Sequence, residues 1–170
     1  MEYKVAVIIP TLNEEKFIAR CLDSVIEQSY PFRDMDVMVV DGGSNDRTRE
    51  IVEEYGRKYI NIRFIHNPGR IQSIAFNIGV ENSDAPYIVR LDAHALYNKD
   101  YIEKCIAGLQ NDTQIGNVGG RCKILPFNDT LWANTNAILN YSRFGIGGSA
   151  FRVGVKPDFV DSVPLGHFHV

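Results

Sequence analysis

Residues 3–15 read YKVAVIIPTLNEE and residues 36–46 read DVMVVDGGSND. In each stretch an unbroken run of apolar, largely β-branched residues stops abruptly at polar, turn-forming ones. An apolar run without alternation fits a strand covered on both faces, as parallel sheets require. The segment after each run changes to helical period. Residues 14–29 place Phe17, Ile18, Cys21, Leu22, Val25 and Ile26 on one face, and residues 46–59 do the same with Ile51, Val52 and Tyr55. The Tyr30-Pro31 step stops the first of these helices. Strand followed by helix, twice in succession, predicts βαβ units and a mainly parallel sheet.

The pattern continues outward from this pair. Residues 62–66 form a third strand, residues 71–80 a helix with Ile71, Ile74, Ala75 and Ile78 on one face, and residues 87–91 (YIVRL) a fourth strand. A fourth helix over residues 99–109 buries Ile102, Ile106 and Leu109. Regularity then falls: residues 117–125 are strand-like, 130–141 weakly helical, 145–148 glycine-rich, and 159–163 suggest another short strand. No internal repeat or low-complexity linker interrupts the chain. A single domain over residues 1–170 is expected, a Rossmann-like three-layer α/β/α sandwich.

Composition narrows the function. With 170 residues, 45% of them hydrophobic and 23% charged, there is enough chain for one domain with a proper core. A net charge of -3 offers no basic face for a run of phosphates, which disfavours nucleic-acid binding and makes any phosphate site local. Met1 opens directly into charged and strand-like residues, without the apolar stretch of about 18 residues that a membrane helix needs, so a soluble, cytoplasmic domain is expected. Cys21, Cys105 and Cys122 lack the short spacing of a zinc or redox pair and read as free thiols acting as small hydrophobes.

In an open α/β sheet, ligands bind beyond the carboxyl ends of the strands, where strand order reverses. Three strand ends are polar: residues 10–15 (PTLNEE), 41–46 (DGGSND) and 92–94 (DAH). A dinucleotide fold would need G-x-G-x-x-G after the first strand, and no glycine stands there. A diphosphate must then be met through a divalent cation. Asp92 and His94, two residues apart across a sharp turn, can address one ion through oxygen and imidazole nitrogen. Each has a structural alternative: a turn or N-cap carboxylate for Asp92, a satisfied core or loop histidine for His94. Asp41 either organises its turn or reaches a base or ribose while Gly42 and Gly43 make the bend; at the pocket rim it would affect binding more than folding. Asp46 reads as the N-cap of the second helix.

At this point the segments VAVIIPTLNEE, VVDGGSNDRT, NPGR, FNIG and YIVRLDAHALYNKDYI, in this order and spacing, resemble family 2 glycosyltransferases along most of the chain. RLDAHA, NVGG, GIGGSAFR and VDSVPLG are similar to the branch that includes succinoglycan-type glucosyltransferases. The resemblance implies a GT-A fold in which Pro10, Thr11, Asn13 and Glu14 line the nucleotide pocket and Asp41 accepts a hydrogen bond from the base, usually uracil. It also implies that Asp92 is the first aspartate of a metal-binding D-x-D motif. His94 stands where the second aspartate usually does. The same variant occurs in polypeptide N-acetylgalactosaminyltransferases, where both residues bind manganese, so Mn2+ or Mg2+ is the expected cofactor. Arg70 and Arg90 are candidates for diphosphate contact, with a salt bridge to a nearby acid as the alternative for each.

The implied reaction is a single displacement with inversion, moving a hexose from a UDP-sugar to a saccharide or lipid-linked acceptor in polysaccharide synthesis. The expected base lies beyond Val170; Asp158 and Asp161, the last acids, sit beside VDSVPLG, which in similar proteins precedes it. The 170-residue chain is therefore expected to bind a nucleotide sugar but turn over poorly or not at all. His167 is a further metal-ligand candidate, with a surface position as its alternative. Membrane association at the inner face would come through a region downstream. Two competing readings stand beside this one: a silent nucleotide-sugar scaffold, and a sugar nucleotidyltransferase. The latter would want a glycine- and basic-rich loop where PTLNEEK stands.

Overall fold

The computed structural model describes residues 3–112, 114–120, 126, 129–139 and 167–169. The elements, in order, are β1 (Val5–Thr11), α1 (Ile18–Ile26), β2 (Met35–Asp41), α2 (Thr48–Lys58), β3 (Ile62–His66) and α3 (Gln72–Glu81). They continue with β4 (Tyr87–Arg90), α4 (Tyr101–Asn111), β5 (Asn117–Val118), α5 (Leu131–Leu139) and β6 (His167–His169). Residues 1–118 and 165–170 form one compact unit and residues 119–164 a second. α5 belongs to the second unit, where the Thr130 hydroxyl accepts the Ala133 N–H at the helix start.

The sheet of the first unit runs β3-β2-β1-β4-β6-β5. β1 to β4 are mutually parallel, and β6 joins antiparallel to both β4 and β5. The expected α/β fold with a mainly parallel sheet is what the chain forms. Alternate residues of β1 divide the core. Val5, Val7 and Ile9 pack with Ile18, Cys21, Leu22 and Val25 of α1, Val52 of α2 and Ile102 and Ile106 of α4 on one face. Ala6 and Ile8 pack with Ala75 of α3 on the other. Helices on both faces give the α/β/α layering, and cover on both faces of the strand is why residues 5–10 (VAVIIP) carry no polar side chain.

Two elements differ from expectation for identifiable reasons. α1 starts at Ile18 rather than residue 14, because residues 14–17 form a turn in which the Glu14 carbonyl accepts the N–H groups of Phe17 and Ile18 at 2.9 Å each. On α3 the expected face is buried only in part: Ala75 is buried and Ile78 packs against the core, as does Gly79, while Ile71 and Ile74 at the start of the helix are exposed. A Cβ on Gly79 would lie 2.6 Å from Ile8 Cγ2, so the helix makes its closest approach to β1 through a glycine, with Phe76, Ile78 and Val80 packed around that contact. The strand expected over residues 117–125 ends at Val118; residues 121–125 and the strand expected near 159–163 lie outside the described residues.

Candidate functional site

Because β1 to β4 are parallel, their carboxyl ends share one edge, and the chain places the two acids of interest on either side of β1. Thr11 of β1 pairs in register with Asp41 of β2, and Ile8 of β1 pairs with Arg90 of β4, two residues before Asp92. The order β2-β1-β4 makes this the point where the strands following β1 switch from one side to the other, the position at which open α/β sheets bind ligands.

The loop after β1 is tied to the loop after β2 by a ladder of backbone-to-side-chain bonds. Asn13 N–H donates to Ser44 Oγ (2.8 Å), and Asn45 N–H to Asn13 Oδ1 (2.8 Å). Glu14 N–H donates to Thr48 Oγ1 (2.8 Å), Glu15 N–H to Asp46 Oδ2 (3.0 Å) and Arg47 N–H to Glu15 Oε2 (3.1 Å). Asn13 adopts a left-handed backbone, φ 57°, which asparagine tolerates better than most residues. Pro10, one residue before the strand end, is half-buried and pairs with Val40.

Asp41 is not at a rim. It is 2% exposed, and its carboxylate accepts bonds from the Gly43 N–H (2.9 Å), the Ser44 N–H (2.8 Å), the Ser44 hydroxyl and the Thr11 hydroxyl (3.2 Å). These donors occupy both oxygens, so Asp41 organises the turn, the structural alternative of the sequence reading. Gly43 takes φ 85°, and a Cβ on it would lie 3.4 Å from the Arg70 guanidinium. The 67–70 turn rests on this bend: Asn67 N–H donates to the Asp41 carbonyl at 2.7 Å, and Arg70 itself is left-handed at φ 58°. Asp46 caps α2 from one residue before the N-cap position, accepting the Thr48 N–H at 3.0 Å and the Thr48 hydroxyl at 2.6 Å. Desolvation alone would raise its pKa, but the bonds from Thr48 and Glu15 hold the carboxyl below its ordinary value.

On the β4 side, Asp92 is a quarter exposed, and its Oδ1 receives Gln72 Nε2 at 3.4 Å and Arg90 at 3.5 Å. Its N–H donates to the Tyr97 hydroxyl at 2.7 Å, and its carbonyl accepts the Ala95 N–H at 3.1 Å, closing a turn. Burial pushes the Tyr97 phenol well above its ordinary pKa, so it remains a neutral hydroxyl fixing that turn. Arg90 combines its contact to Asp92 with a buried Nε that meets no acceptor among the described residues. His94 Nδ1 lies 2.9 Å from Glu14 Oε1, joining the turn after β4 to the loop after β1. Cys21 packs beneath, its Sγ 3.6 Å from the Asp92 carbonyl, and burial pushes its thiol up to about 12, which makes it a structural residue.

Sequence reasoning missed Gln72, Ser44 and Thr48. Ser44 sits in, and Thr48 just after, a polar turn whose composition announces a bend but not its partners, and nothing around Gln72 singles it out. Among the described residues no cluster of three or more His, Cys, Asp or Glu is poised for a metal. Asp92 and His94 supply one carboxylate and one imidazole, a donor set that suits Mn2+ or Mg2+ only as an open site, the remaining ligands coming from a bound diphosphate and water. The backbone of His167 pairs with Val89, while its side chain, Asp158 and Asp161 lie outside the described residues.

The sequence profile described as "Glycosyl transferase family 2" matches residues 6–167. The chain belongs to this family. It is 30% identical over 170 residues to a dolichyl N-acetyl-alpha-D-glucosaminyl phosphate 3-beta-D-2,3-diacetamido-2,3-dideoxy-beta-D-glucuronosyltransferase of Methanococcus voltae, covering 96% of this chain and 52% of that protein. It is 32% identical over 150 residues to the succinoglycan biosynthesis protein ExoA of Rhizobium meliloti, covering 87% of this chain and 44% of that one. Family membership and the likeness to a succinoglycan protein agree with the reading of the motifs.

Among solved structures, a mannosyltransferase from Pyrobaculum calidifontis, in complex with GDP-Man and Mn2+, superposes with a TM-score of 0.65. That match has 28% identity and covers 73% of this chain and 36% of the other. The fold is therefore the GT-A fold of nucleotide-sugar transferases. The chain spans about half the length of the curated relatives it matches.

Proposed function

We propose that this chain is the donor-binding part of an inverting hexosyltransferase that takes a UDP-hexose and passes the sugar to a saccharide or lipid-linked acceptor in polysaccharide biosynthesis, at the cytoplasmic face of a membrane. The observation that carries the reading is the placement of the β1, β2 and β4 ends at one switch point, with Asp92, His94 and Arg90 beside the laddered loops. Thr11, Asp41 and Ser44 form a rigid floor for the nucleotide, and Pro10, Asn13 and Glu14 form its near wall. Arg70 and Arg90 face the diphosphate. Asp92 and His94 hold a divalent cation which, when bound, offsets the charge developing on the departing nucleoside diphosphate. Among the described residues no helix is long and apolar enough to cross a membrane.

Calorimetric titration of the chain with UDP and with GDP, each with and without Mn2+, tests this reading. The expected outcome is Mn2+-dependent binding of UDP that Asp92→Ala abolishes while leaving the unfolding midpoint in place. Binding indifferent to Mn2+, or unchanged in Asp92→Ala, removes the donor-site assignment; preference for GDP replaces the base.

A further inference from the structure

We propose that Glu14 is a positioning residue for His94: its carboxylate holds the Nδ1–H, so that the imidazole presents the Nε2 lone pair to the cation accompanying the diphosphate. The inference rests on the donor-site reading above and adds a residue to it that the D-x-H pattern does not contain. Glu14 Oε1 lies 2.9 Å from His94 Nδ1, and the two residues are 80 positions apart in the chain. An ionised carboxylate only accepts hydrogen bonds, so in the neutral ring the proton resides on Nδ1 and the electron pair on Nε2.

The burial of the two partners is unequal in the sense this role requires. The Glu14 side chain is 18% exposed and that of His94 62%, so the carboxylate is the anchored member and the ring is open to a ligand. Both backbones are fixed independently of the contact. Glu14 donates its N–H to Thr48 Oγ1, and its carbonyl accepts the N–H groups of Phe17 and Ile18 where α1 begins. His94 sits in the turn closed by the Ala95 N–H to Asp92 carbonyl bond and fastened by Tyr97. The contact therefore sets a ring orientation between two prebuilt turns. Histidine ligands of metals commonly donate their other N–H to a carboxylate, which fixes the tautomer and raises ligand basicity.

The test uses the 170-residue chain with 15N-labelled histidine. Long-range proton–nitrogen correlations at alkaline pH, without metal, are expected to show the His94 proton on Nδ1. Glu14→Ala should lose that preference, and Glu14→Gln, whose amide oxygen accepts the same bond, should keep it. In titrations with UDP and Mn2+, Glu14→Ala should weaken binding by about 10- to 100-fold and Glu14→Gln by less than about tenfold, with unfolding midpoints unchanged. A proton on Nε2 in the wild type, or equal Mn2+–UDP affinity in wild type and Glu14→Ala, overturns the proposal. Wild-type UDP binding that ignores Mn2+ overturns the donor-site reading itself, and it is recognised without any variant.

Discussion

The Asp41 carboxylate and the Thr11 hydroxyl meet at 3.2 Å across a register pair that ends two parallel strands, with both residues buried. The same carboxylate gathers two N–H groups and a second hydroxyl from the turn beyond it. Its removal would leave those partly buried donors without their acceptor, and a buried unsatisfied group costs about 1–3 kcal/mol. Asp41→Ala is accordingly expected to lower stability by ~2–4 kcal/mol in chemical denaturation. A loss below ~1 kcal/mol together with weakened UDP binding would return Asp41 to the role of a base-contacting residue.

Gly79 makes the second prediction. Alanine is favoured over glycine within a helix by about 1 kcal/mol. Here its methyl would meet the fully buried Ile8 side chain, and Gly79→Ala should destabilise by ~1–3 kcal/mol instead. Ile8→Ala makes room, so the double variant should lose less than the two single losses added together, by at least ~0.5 kcal/mol. Strict additivity would place the strain elsewhere.

Asp46 links stability to acid. Its carboxyl is held below its ordinary value of 3.8, so the charged form stabilises the fold. That contribution is complete above the unfolded value and disappears as pH falls through the lower folded one. Wild type should exceed Asp46→Asn in stability at pH 6, and the gap measured by urea denaturation should close as pH drops below about 3.8. A gap that stays constant to the acid limit would show that these bonds do not depend on the charge.

The sheet was legible because a doubly covered strand carries few polar residues, and YKVAVIIP and DVMVV have few. The burial of Ile102, Ile106 and Leu109 in α4 followed from spacing alone. For α3 spacing found Ala75 and Ile78 but not the exposure of Ile71 and Ile74 or the close approach at Gly79, which is a three-dimensional constraint. At the site, the sequence pointed to the strand ends but not to their partners. Whether Asp41 faces a ligand or its own turn depends on where donors fall, and Glu14 meets His94 only after β1 and β4 pair.

The rungs joining the loops after β1 and β2 have a consequence for how this protein can be altered. Each rung couples a main-chain amide on one side to a particular side chain of the other loop or, for Thr48, of the helix start that follows it, 31 to 34 positions away. Adding or deleting one amino acid in either loop would put the whole set out of step at once. Changes of length aimed at new specificity are better placed elsewhere, with these two loops grafted or exchanged only as a matched set.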